Sequence, residues 1–281
     1  MKKFIFSDNA TLNDYSAKVE NYHANNVTID YTLSQDYLFI GSELPFNSLF
    51  FDLSTANTTS ANVVIEYWTG TAWLAMVEIL DETSLSGASF GQSGHMTWSP
   101  DRYDSWSAED TVNSNGVERI TGLGNVTVYD LYWIRVSFSA TLDVGTAVNW
   151  IGPKFCTSAD VESEFKLLSK TAFKSAYESG KTEWEEEIVT ASRLIVEDLI
   201  DQGSIFSGDQ LLERRKLKDV CVSRVAQVVF TNLGDDYTDD ADRARIEYKS
   251  RLSKKNYKAD KNNNALLDKQ ELGVQTGGLF R

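Results

Sequence analysis

A chain of 281 residues is about twice a common single-domain length, which favours two domains over one. Hydrophobic residues at 42% and charged residues at 24% exclude a wholly disordered protein. With 27 Lys and Arg against 41 Asp and Glu, the net charge of −14 excludes tight, sequence-blind binding to nucleic-acid phosphate.

The chain opens on Lys2-Lys3 and the apolar run Phe4-Ile5-Phe6, which Ser7 and Asp8 end too soon for the apolar stretch of a secretory leader. No uncharged apolar run approaches the roughly 20 residues that span a bilayer. Cys156 and Cys221 have neither CxxC spacing nor a neighbouring histidine, so they read as small buried hydrophobes. The expectation is a soluble protein made in a reducing cytoplasm, with no membrane partner.

Short alternating runs rich in Val, Thr, Tyr and Trp, broken by Gly, Asn, Asp and Pro, predict an antiparallel sandwich for the first half. Val27 to Leu33 alternates, Tyr37 to Ile40 and Ser48 to Leu53 are apolar strands, and Asn62 to Trp68 places Val63, Ile65 and Tyr67 on one face. Thr69-Gly70-Thr71 turns the chain and Trp73 to Leu80 returns, which predicts a hairpin. Leu131 to Phe138 puts Leu131, Trp133, Arg135 and Ser137 on one face and Tyr132, Ile134, Val136 and Phe138 on the other.

Between Cys156 and Ala159 the composition breaks. All three prolines and six of the seven tryptophans precede this point, and the net charge is −11 before it and −3 after it. Helical spacing follows: Val161, Phe165, Leu168, Ala172 and Ala176 up to Gly180, then Trp184, Ile188, Ala191, Ile195 and Leu199 up to Gly203, with Thr182 and Glu185 spaced as a capping box. A third helix from about Asp209, behind Ser207 as N-cap, closes at Gly234. A fourth carries Ala241, Ala244, Tyr248 and Leu252. Short connections predict antiparallel packing. The organisation is a β-sandwich over 1–157, a helical bundle over 158–259, and a turn with a flexible tail over 260–281.

Chemistry is sparse. The two histidines, His23 and His95, stand in no nucleophile motif, Gly122-Leu123-Gly124 lacks the third glycine of a dinucleotide fingerprint, and Asp81/Glu82 and Asp101/Asp104 read as loop charges. Trp68, Trp73, Trp98 and Trp106 suit either core packing or a platform like that of carbohydrate-binding modules, and their place in alternating strands favours packing. The strongest signal is Asp260 to Glu271. Asp260, Asn262, Asn264, Asp268 and Glu271 fall at positions 1, 3, 5, 9 and 12 of an EF-hand loop, with the Leu266 carbonyl at 7. Ala265 stands where glycine is usual, so it must take a positive φ. This predicts an optional structural calcium and no required cofactor.

The order of the second half resembles the head-tail connector (adaptor) proteins of tailed bacteriophages: the Trp184 to Ile200 helix, the Gly203 to Gly208 loop, Leu211-Leu212, the helix through Arg224 to Phe230, Tyr237, the basic helix Arg243 to Lys258, the Asp260 turn, and Gly277-Gly278-Leu279-Phe280-Arg281. The first half is similar to jelly-roll modules of phage tail and baseplate proteins, through Tyr67-Trp68-Thr69-Gly70-Thr71-Ala72-Trp73, Asp81-Glu82-Thr83, Phe90 to Gly94, Trp98-Ser99-Pro100, Trp106 and Tyr132-Trp133-Ile134-Arg135. The resemblance implies a non-enzymatic virion protein of the neck, forming a twelve-fold ring. Its partners would be the portal protein, held by the Gly277 to Arg281 tail, and the next neck or tail protein, with DNA only as passing cargo. A sugar-binding sandwich with a helical assembly domain is the alternative, and a glycan-processing enzyme a remote third.

Overall fold

Phe4-Ile5-Phe6 is the middle of a strand buried on both faces: Phe4 and Phe6 point into one core and Ile5 into another. The computed structural model describes residues 2–23, 26–100, 105–212, 214–254 and 259–265. The chain divides into two units, Met1–Gly152 with Asn262–Leu266, and Pro153–Lys261 with Leu267–Arg281. The main break between the units falls at Gly152/Pro153.

The first unit runs β1 (Lys3–Asp8), β2 (Thr11–Asp14), α1 (Ser16–Glu20), β3 (Val27–Thr28), β4 (Tyr37–Ser42), β5 (Ser48–Thr55), β6 (Val63–Trp68), β7 (Trp73–Asp81), β8 (Gly94–Pro100), β9 (Ala108–Glu109), β10 (Leu131–Phe138) and β11 (Ala147–Gly152). Every strand pair is antiparallel, and the order across the sheet is β2-β1-β4-β10-β6-β7-β8-β5-β11-β3, with β9 on β10. This is a curled antiparallel sheet, a half-barrel.

A sandwich of two separate sheets was the expectation, but the ladder is continuous because β7 serves both halves. Its first residues pair with β6, Trp68 opposite Trp73, and its later ones pair with β8. The register slips between Val77 and Leu80, where Glu78 takes the left-handed conformation at φ 52°. Such a bulge bends a strand and increases its twist. The inner faces of both halves enclose one core, with Ile65, Tyr67 and Val136 from one and Phe51, Met96 and Trp98 from the other.

The predicted β6/β7 hairpin and the β4, β5 and β10 strands are present. Val27 to Leu33 is extended only in part: β3 is two residues long, yet Val27, Ile29 and Tyr31 are buried in alternation, so the period survives where strand pairing stops. Outside the curl, Ile5, Phe39, Trp68, Leu131 and Trp133 make a second core with Ile120 and Leu123 of the long β9–β10 connection. Gly122-Leu123-Gly124 belongs here. The Glu118 carboxylate accepts from both glycine N–H groups, and Leu123 fills the core.

The second unit runs α2 (Ser158–Glu164), α3 (Thr171–Tyr177), α4 (Glu185–Asp201), α5 (Lys218–Asn232) and α6 (Thr238–Lys254), with single 3-10 turns at Gly208–Gln210, Arg214–Leu217 and Asp235–Tyr237. Two expected helices differ in detail. The segment read as one helix from Val161 to Ala176 is two, because the chain turns between Phe165 and Lys170 while Val161, Leu168 and Phe173 stay buried. The long helix begins at Lys218 rather than near Asp209. Ser207 does form a capping box with Gln210, but on the 3-10 turn.

The expected Thr182/Glu185 capping box is absent. The Lys174 ammonium donates to the Thr182 carbonyl at 2.6 Å, the Trp184 N–H donates to Ser158 Oγ at 2.8 Å, and Glu185 pairs with Lys154. Thr157 and Asp160 form the box instead, at the start of α2. The predicted stripe of α4 is realised: Ile188, Ala191, Ile195 and Leu199 are fully buried against α5, and Trp184 lies under them, its indole N–H donating to the Leu168 carbonyl. On α6, Ala244, Tyr248 and Leu252 face inward at four-residue spacing.

Candidate functional site

The residues singled out in the sequence divide between described and undescribed parts. Leu266, Asp268 and Glu271 of the calcium pattern, and the whole Gly277, Gly278, Leu279, Phe280, Arg281 tail, lie outside the described residues. In the described half of the loop, Asp260 is buried, its N–H donating to the Gln210 carbonyl and its carbonyl accepting from the Gln210 side chain, each at 2.8 Å. Ala265 has φ 59°, the left-handed conformation that loop position 6 demands, and its methyl lies in the core of the first unit. Asn263, two residues earlier, is also left-handed at φ 57°. Among the described residues no group of three His, Cys, Asp or Glu side chains is placed to hold a metal.

Three of the four rings proposed as a sugar platform have no exposed face: Trp68, Trp98 and Trp106 are buried, the last two in the inner core and Trp68 in the outer one. Trp98 Nε1 donates to the Phe46 carbonyl and Trp106 Nε1 to the Trp133 carbonyl. Trp73 is partly exposed and forms one side of a cation–π clamp. The Arg135 guanidinium lies 5.0 Å from its ring and 4.7 Å from that of Tyr37, and is paired with Glu66 through bonds of 2.6 and 3.0 Å. The packing reading of these tryptophans holds.

His95 stands near the start of β8, its Nδ1 3.6 Å from Glu82 and its ring against Phe50. Asp81 is structural, accepting from the hydroxyls of Thr83 and Ser89.

What sequence reasoning missed is a polar seam inside the helical unit. Cys156, just ahead of α2, and Cys221, on α5, are buried with their sulfurs 3.1 Å apart, and Ser192 Oγ of α4 lies 3.5 Å from Cys221. One turn further along α5, Arg224 lies against the Tyr248 ring at 4.7 Å and 3.5 Å from the Asp198 carboxylate, which accepts from the Tyr248 hydroxyl. The hydrogen bond to Cys221, and burial, hold the Cys156 thiol well above its usual range. Only pairing across 65 positions of sequence brings these sulfurs together, and no local spacing signals that.

The same unit keeps apolar side chains on its surface. Phe206 is 84% exposed on the α4–α5 connection, although its own N–H is fixed by the buried Gln210 side chain at 2.6 Å. Ile246 is 67% exposed on the side of α6 opposite Ala244 and Tyr248, and Ile200, next to last in α4, is exposed too. No helix among the described residues is long and apolar enough to cross a membrane. No family model, curated protein or solved structure matches the chain.

Proposed function

We propose that the chain is a structural virion protein, a ring-forming head-tail adaptor that joins a portal to the tail neck. The helical unit makes the ring and the curled sheet is a jelly-roll-like module of the kind found on tail proteins. No reaction belongs to this role. The observation that carries the reading is the contrast within the helical unit. Its core is closed by its own helices, yet Phe206 and Ile246 remain out in solvent on unlike elements, a connection and a helix face. A cyclic ring needs such a pair of different surfaces, because each subunit meets its neighbours through different faces. An exposed ring on a connection pinned by Gln210 also loses little freedom on docking.

In this role the Gly277 to Arg281 tail reaches the portal, and the acidic balance of the chain lets duplex DNA pass without being held. Electron microscopy of the protein mixed with its portal tests the reading: twelve-fold rings are expected on the portal. A two-fold dimer that persists with the portal present, or submicromolar binding to duplex DNA at physiological salt, overturns it.

A further inference from the structure

We propose that Cys156 and Cys221 are a modification site: a low-molecular-weight disulfide such as oxidised glutathione converts them to a reversible intramolecular disulfide that ties the segment ahead of α2 to α5. The inference rests on the geometry of the helical unit and is independent of the adaptor reading.

The sulfurs are 3.1 Å apart in the dithiol. A disulfide bond is about 2.05 Å long, so closure needs a movement of about 1 Å. Cys221 is fixed in the first turns of α5, whereas Cys156 belongs to the irregular stretch before the Thr157 cap, where the backbone can give. With only two cysteines in the chain, there is no third thiol to compete.

Access decides how the site reacts. Both thiols are buried, so neither meets a solvent-borne reagent in the closed state, and there the hydrogen bond to Cys221 and burial also disfavour the Cys156 thiolate. The stretch that covers them is held by the Lys154–Glu185 ion pair and by the Phe155 N–H donating to Ser192 Oγ at 3.3 Å. When that stretch opens, Cys156 loses its proton to solvent and its thiolate attacks one sulfur of oxidised glutathione. The glutathione S–S bond breaks and one glutathione leaves, taking up a proton. Cys221 then loses its proton to solvent and its sulfur attacks the Cys156 sulfur of the mixed disulfide; the protein S–S bond forms, the Cys156–glutathione S–S bond breaks, and the second glutathione leaves as a thiolate that takes up a proton. Two electrons pass from the cysteines to glutathione, and both thiol protons end on the two glutathione molecules.

The cross-link spans 65 positions and so removes much conformational freedom from the unfolded helical unit. The expected consequence is a rise in its Tm of about 10 °C on oxidation. In a reducing cytosol the pair stays open, and in an oxidising exterior it closes.

The full-length protein is equilibrated in a glutathione redox buffer with excess oxidised glutathione and enough urea to permit local opening, then alkylated under denaturing conditions. Expected are loss of both free thiols, a mass lower by two hydrogens, a Cys156–Cys221 cross-linked peptide, and a helical circular-dichroism transition about 10 °C higher that dithiothreitol reverses. Cys156→Ala, which keeps Cys221 in place, should show no such shift. Two alkylatable thiols at equilibrium, stable glutathione adducts, disulfide-linked dimers, or a shift that persists in Cys156→Ala would each overturn the proposal.

Discussion

The Tyr248 hydroxyl of α6 donates to the Asp198 carboxylate of α4 across 2.5 Å, and Arg224 of α5 contacts both partners, so one polar cluster ties the three long helices together. Tyr248 is buried, while the Asp198 side chain keeps about a third of its surface. Tyr248→Phe removes a hydrogen bond to a charged acceptor and should cost about 1–2 kcal/mol, measured by urea unfolding at neutral pH. Burial and the bond to Asp198 both push the Tyr248 hydroxyl above its ordinary value of 10.0. A group raised in the folded state stabilises fully below its unfolded value and loses that contribution as pH rises toward the folded one. Alkaline pH should therefore weaken wild type more than Tyr248→Phe. Variants within ~0.5 kcal/mol of wild type would remove the cluster from the stability of the unit.

Strands and helices with strong periods were legible because one face of each is buried: β10 with its two cores and α4 with its unbroken stripe are the clearest cases. Caps were less so. Thr182 and Glu185 have capping spacing, but Lys174 and Lys154 compete for them from distant parts of the chain. The continuous ladder was hidden because it depends on Glu78, a residue with no special claim to a left-handed conformation. The thiol pair was hidden because it is a long-range contact. In the segment of the calcium pattern Ala265 has a positive φ, as does Asn263, and the Ala265 methyl is packed in the first unit's core.

Asp143 holds the Asn57 to Thr59 corner of the first unit. Its carboxylate accepts from the Thr58 hydroxyl and amide, each at 2.5 Å, and from the Thr59 hydroxyl and amide, and these bonds lower its pKa from 3.8 to about 2. The folded value is depressed, so the contribution is present above the unfolded value and is lost as pH falls from 3.8 toward 2. An acid titration followed by amide resonances of Thr58 and Thr59 should show these bonds breaking in that window. Asp143→Asn should abolish the step while loosening the corner at neutral pH. A wild-type corner unchanged at pH 2 would show that other contacts hold it.

Phe206 separates assembly from folding. With 84% of its surface in water it contributes little to the subunit's own core, so Phe206→Ser should change stability by less than about 0.5 kcal/mol. If the ring of the proposed adaptor docks Phe206 on a neighbour, the same variant should lose ring formation on the portal. Deleting Gly277 to Arg281 should leave ring contacts intact and weaken portal binding. Native rings from Phe206→Ser would assign the subunit contact elsewhere, and undiminished portal binding by the truncated chain would remove the tail from the mechanism.

Ala265 bears on whether the Asp260 to Glu271 loop takes calcium. A left-handed alanine costs roughly 1–2 kcal/mol, and at φ 59° that cost already belongs to the folded protein, so an arriving ion need not impose it. Asp260, Asn262 and Asn264 bring only one carboxylate to the first half, and Asp268 and Glu271 would complete the set with the Leu266 carbonyl. One loop with few charges binds weakly, so about millimolar affinity is the expectation. Calorimetry with calcium should give a saturable heat with wild type and none with Glu271→Gln, which removes the bidentate carboxylate. The thermal transition should also rise in millimolar calcium for wild type alone. Equal heats from the two proteins, or none from either, would make the segment an Asn-rich turn whose left-handed Ala265 is fixed by packing of its methyl in the first unit's core.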